Sequence, residues 1–152
     1  MQSVRLPQPQ VCDTMKNAGL LLEIDGLLGD SQNPHYRGWM DLCWFSFGGS
    51  GEFGQTRPSD LATMTMPVSR VSTTLQLACL HGERFAEATF VALNPNHTAE
   101  ICRATMRELQ VLDFQFRGYS GDMPIHSLEL RFSKLKTKIV SIPSKVAAET
   151  FR

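Results

Sequence analysis

Apolar and polar residues alternate along most of the chain, and the alternation breaks at clusters of Gly, Pro, Asn and Asp. From Ile125 to Ser133, Leu128, Leu130 and Phe132 fall on one side, while Ser127, Glu129, Arg131 and Ser133 fall on the other. A period of two marks a strand with one buried and one wet face. The same pattern predicts strands over Gly19–Asp25, Trp39–Phe47, Leu61–Met66, Arg84–Leu93, Glu100–Glu108, Gln110–Arg117 and Lys136–Ile142. Trp39–Phe47 is the most apolar. Its run Leu42-Cys43-Trp44-Phe45 does not alternate, which predicts cover on both faces. One stretch has helical spacing: Val71, Leu75 and Ala78 recur at i, i+4 and i+7. Ser69 or Ser72 is placed to cap its start, and Gly82 to stop it after His81.

Between these segments, Gly26–Gly38 and the glycine-rich Gly48–Pro58 read as loops, and Ser120, Gly121, Asp122 and Pro124 as a turn. Short strands at regular spacing with a single helix predict a mainly β fold, a closed or nearly closed barrel of about eight strands. The polar, Pro-rich residues 1–14 read as a flexible arm or as lying upstream of the true start, because Met15 leads straight into the first strand. Residues 15–142 form the barrel domain and 143–152 a tail.

Composition narrows the function classes. The 15 basic and 15 acidic residues cancel, so no net field draws the chain to nucleic acid. No apolar run approaches the roughly 20 residues that span a bilayer, which argues against membrane insertion, and the N-terminus lacks the apolar core of a secretory signal. Lys134, Lys136 and Lys138 alternate on one face of a strand and read as a solvated edge. Cys12, Cys43, Cys79 and Cys102 are scattered and read as free thiols, most of them small buried hydrophobes.

Several motifs invite chemistry and fail on context. Gly49-Ser50-Gly51-Glu52-Phe53-Gly54 matches G-x-G-x-x-G, but Pro58 and a Met/Thr alternation follow where a phosphate-binding helix is needed. Cys79 and His81 lie two apart on the predicted helix and point to different sides. His35, His81, His97 and His126 show no metal-ligand spacing, and histidines isolated in or beside loops are usually solvated. No cofactor or metal follows from the residues. Trp39, Trp44, Phe45 and Phe47 lack the interleaved Arg or Lys of a base-stacking platform, so a core or interface strand is favoured.

Four ordered blocks resemble the haemolysin-coregulated (Hcp) proteins of type VI secretion systems. Ile24-Asp25-Gly26-Leu27-Leu28-Gly29-Asp30-Ser31 is similar to the family's first strand and its I-D-G-I-x-G-E-S turn. Gly38-Trp39-Met40-Asp41-Leu42-Cys43-Trp44-Phe45-Ser46-Phe47-Gly48 resembles the second strand. Leu75-Gln76-Leu77-Ala78-Cys79-Leu80-His81-Gly82 resembles the helix, and Gly118–Leu135 the C-terminal hairpin. The resemblance implies a β-barrel with one helix and a non-enzymatic subunit of hexameric rings. These stack into a tube that a contractile sheath expels, with effector cargo in the lumen. It implies as partners further copies of the chain, a spike protein, the sheath and the effectors. The protein would be cytoplasmic before firing and extracellular afterwards. Gly48, Gly49, Ser50, Gly51, Glu52, Phe53 and Gly54 would form the loop that reaches the next ring, and Ser46 would face the lumen. On the residues alone, a monomeric barrel binding a small ligand and a cysteine-dependent hydrolase remain alternatives.

Overall fold

The computed structural model describes residues 19–52, 55–118 and 120–139, with the backbone alone for 49–52 and 55–59. Among these, the chain forms β1 (Leu20–Ile24), β2 (Met40–Asp41), β3 (Trp44–Glu52), β4 (Gln55–Pro67), α1 (Ser72–His81), β5 (Arg84–Leu93), β6 (Glu100–Arg117), β7 (Ile125–Arg131) and β8 (Lys134–Ile139). The strands pair antiparallel in the order β2-β1-β5-β6-β7-β4-β3, and β8 pairs with β6.

The two ends of that order are consecutive in the chain, and this closes the sheet. Met40 pairs with Leu22 of β1, and Trp44 with Thr65 of β4. Between them the Leu42 amide donates to the Leu20 carbonyl, and the Cys43 amide to the Thr65 carbonyl. The segment therefore crosses from one edge of the sheet to the other and makes a barrel. The corner also shifts the side-chain phase. Met40 and Leu42 are buried in the core, yet Phe45 and Phe47 are the residues of β3 that pack against it. Trp44 and Ser46 are exposed, so no described element of the same chain covers that face. Within the chain the unbroken apolar run reflects a corner.

The interior is filled by inward residues of β1, β4, β5, β6 and β7, among them Ile24, Met64, Phe90, Met106 and Leu128. Phe45 stacks on Phe90 with ring centroids 3.6 Å apart. Helix α1 adds Val71, Leu75 and Ala78, the three residues its spacing selected. Gly82 ends it in the left-handed region at φ 67, with its amide donating to the Ala78 carbonyl. Neither serine caps the helix start: Val71 occupies the N-cap, with no side-chain hydrogen bond. Ser72 Oγ instead accepts from the Ser69 amide at 2.9 Å, tightening the turn before the helix.

Two expected boundaries move. Glu100–Glu108 and Gln110–Arg117 are one strand of 18 residues, kinked where Glu108 takes φ 57. The break in alternation there marks a kink at which β7 meets β6, not a turn. Its pairing with β5 runs up to Gln110, where pairing with β7 begins. Gly48–Pro58 is likewise not a loop. Gly49 pairs with Pro58, Ser50 with Arg57, Gly51 with Thr56 and Glu52 with Gln55, so β3 and β4 extend the hairpin outward. Phe53 and Gly54 lie outside the described residues.

A second buried layer lies outside the barrel. Leu21 and Val91 are fully buried although they face away from Leu22 and Phe90. The segment between β1 and β2 reaches β6. Tyr36 donates a 2.6 Å hydrogen bond to Glu100, and Trp39 lies beside the Arg103 guanidinium. Within this segment Gly29 has a steric role: a Cβ there would sit 2.3 Å from the Trp39 carbonyl oxygen.

Candidate assembly surface

Beyond the barrel's closed girth, the described residues leave strand edges without neighbours. Arg131 of β7 pairs with both Leu61 of β4 and Gln110 of β6. The Phe132 amide then donates to the Asp60 carbonyl, and there the strands part. Strand β4 continues into the hairpin with β3, while β8 follows β6 from Arg107 to Cys102. No described strand pairs with the far side of β8, and all six of its residues are exposed. Leu135 and Ile139 are 37% and 55% exposed, high for apolar residues on a free edge.

Register fixes which β8 residues share a face. Lys134 stands opposite Arg107, Lys136 opposite Thr105 and Lys138 opposite Arg103. The same rows continue across the sheet: Thr105 is paired with Thr89 and Thr89 with Glu23, while Arg107 is paired with Glu87. The Asp25 amide donates to the Glu87 carbonyl beside that second row. One outward face therefore carries Glu23, Asp25 and Glu87 at its β1–β5 side and Arg107, Lys134 and Lys136 at its β6–β8 side. Glu23, Asp25, Glu87 and Thr89 line a depression of about 230 Å³. Only Glu87 is paired, by Arg107 at 3.5 Å. Neither Glu23 nor Asp25 makes an ion pair with a described residue.

Next to this face, Glu100 is tightly held. Arg103 donates to it through Nε at 3.0 Å and through a terminal nitrogen at 2.6 Å. These bonds, followed by that from Tyr36, hold the Glu100 carboxyl below its ordinary range against the opposing effect of burial. Burial, with Glu100 adding, pushes the Tyr36 hydroxyl up to about 12.

Elsewhere on the barrel, Asp30, Met40, Asp41, Pro67, Val68 and Met123 line a mostly apolar groove of about 220 Å³. Arg70 binds Asp30 through Nε at 2.5 Å and through its backbone amide at 3.1 Å. Desolvation raises the Asp41 carboxyl, and a Ser31 hydrogen bond partly opposes it.

Among the described residues, the candidate chemical groups are not assembled into a reactive centre. Burial pushes the Cys102 thiol up, the reverse of what a nucleophile needs. Cys43 is disulfide-bonded, against the expectation of free thiols; pairing depends on tertiary proximity, which spacing along the chain does not encode. Cys79 and Cys102 are free, and Cys12 lies outside the described residues. His126, expected to be solvated, is fully buried, stacks on Phe114 at 4.7 Å, and has no hydrogen-bond partner at either ring nitrogen. Burial lowers its pKa to about 4. Its place in the inward row with Leu128 and Leu130 was legible in the alternation. Among the described residues no cluster of His, Cys, Asp or Glu is arranged to hold a metal, and no helix is long and apolar enough to cross a membrane.

Residues 21–139 match the model of the family described as "Type VI secretion system effector, Hcp". The chain belongs to the Hcp family. The match covers every strand and the helix, apart from the first residue of β1. No curated protein matches the chain significantly. Among solved structures it is similar to a type VI secretion system effector from Yersinia pestis, with TM-score 0.72 and 16% identity over 80% of this chain and 88% of that one. Hcp1 from Salmonella typhimurium gives TM-score 0.72 and 21% identity over 80% and 85%. Hcp1 from Flavobacterium johnsoniae gives 0.62 and 10% over 82% and 98%. Identities this low make the shared property the fold. Sequence reasoning singled out the hairpin glycines and Ser46. Ser46 is exposed on β3 opposite Thr63, outward of the core-facing phenylalanines. It missed the grouping of Glu23, Asp25 and Glu87, which only strand register brings together.

Proposed function

We propose that this Hcp-family chain is a structural tube subunit of a type VI secretion system. Copies join side by side into hexameric rings, and rings stack into a tube that a contractile sheath drives out of the cell behind a spike. The family match across the whole barrel carries this reading. A filled interior, strand edges that no described strand covers and an extended β3–β4 hairpin support a part that works through its surfaces. In this reading the hairpin, Gly48 to Gly54, reaches towards the next ring, and Ser46 looks into a lumen that holds effector cargo. The protein has no catalytic step; its mechanism is steric.

The proposal places the chain in the cytoplasm before firing and in the medium afterwards. Immunodetection of the chain in culture medium, in producing cells with and without the sheath protein, tests this. Export that requires the sheath is expected. Equal amounts in the medium without the sheath would overturn the assignment.

A further inference from the structure

Opposite charges occupy the two sides of one outward sheet face, and this selects how copies meet. Lys134 and Lys136 stand on the free edge, while Glu23 and Asp25 flank the acidic depression two strands and more away. None of the four forms an ion pair within 4.0 Å of a charged described residue, although Glu23 lies in the field of Arg103. Resting on the reading of the chain as a ring subunit, we propose that β8 of one copy seats on the β1–β5 flank of the next, lysines to carboxylates, to form the seam within a ring.

The charge pattern argues for this mate over another. Two copies meeting β8 to β8 would set lysines against lysines, which opposes pairing at a sheet edge. A contact between two different patches is heterologous, and such contacts close into rings when the rotation permits. Several charge pairs at one partly desolvated contact contribute to affinity, to approach rate and to the choice of register.

Two charge-reversal variants test the seam. K134E/K136E and E23K/D25K both alter exposed residues, and circular dichroism is the check that each keeps the barrel. Each variant alone is expected to weaken ring formation by about tenfold or more in dissociation concentration, read by light scattering. Mixed in equal amounts they are expected to recover rings of alternating subunits, since one then presents acids on both flanks and the other bases on both. K134Q/K136Q is expected to weaken rings less than the reversal.

Rings that persist in both reversal variants would overturn the seam while leaving the tube reading intact. Loss in each with no recovery on mixing would also overturn it, since the two patches would then not be mates. A wild-type chain that stays monomeric throughout would instead overturn the tube reading itself.

Discussion

Tyr36 and Glu100, 64 residues apart in sequence, are joined by a 2.6 Å hydrogen bond that ties the β1–β2 segment to β6. The acceptor is a carboxylate, so the contact is charge-assisted. Replacing Tyr36 by Phe keeps the ring and deletes the donor. Arg103 still satisfies the carboxylate, so a loss of about 1.5–3 kcal/mol at neutral pH is expected in urea denaturation. Because the Glu100 carboxyl is depressed in the fold, its contribution is complete above the ordinary carboxylate value and drains as pH falls through the folded value. The loss caused by Tyr36→Phe is therefore expected to shrink in acid. An equal loss across that range would contradict the link.

His126 predicts a second pH dependence. Unfolded, the imidazole takes a proton near 6.5, whereas buried it does so only near 4. Stability is then complete above 6.5, falls as pH drops between these values, and loses nothing further to this group below about 4. The full loss is about 3 kcal/mol. His126→Leu, which fills the site without a titrating group, is expected to flatten the denaturation midpoint over that window. A variant with the same pH slope as wild type would show that His126 is not the source.

Gly29 tests a close approach. A methyl group there would lie 2.3 Å from the Trp39 carbonyl oxygen and 2.7 Å from Met40 Cγ. Backbone must shift to admit it, so Gly29→Ala is expected to cost about 1–3 kcal/mol. Gly48, where an added Cβ meets nothing within 4 Å, is the matched control and is expected to tolerate Ala on these contacts.

Phe45 probes the corner between β2 and β3. Its ring lies 3.6 Å from that of Phe90 at 11°. Phe45→Ala is expected to cost about 3–5 kcal/mol by thermal or urea unfolding. Trp44→Ala, next in the chain but on the solvent side, is expected to cost much less. Comparable losses would mean that the side-chain phase assigned to β3 is wrong.

That phase shows how far the sequence could be read. Leu128 and Leu130, like Val71, Leu75 and Ala78, sit on one face of a single regular element, and periodicity placed them inward. Cys43 lies at a corner, where the inward phase slips by one residue, so no single period of two describes Trp39–Phe47. Glu108 broke the alternation in the same way: the residue kinks β6 without ending it. The glycines from Gly48 to Gly54 carry turn chemistry, yet those on β3 pair across to β4, and composition alone does not reveal that pairing. Leu21 faces away from Leu22 on β1 yet is fully buried, and alternation along β1 alone does not reveal that cover. The opposed charges of Glu23 and Lys136 were beyond reach for a related reason. They share a row only once β1, β5, β6 and β8 are aligned.

The most direct test of the account is the mass and shape of the purified chain, by light scattering and negative-stain microscopy. Open-centred rings near six times the 17.0 kDa chain are predicted. A monomer that persists at high concentration, with no rings, would contradict it.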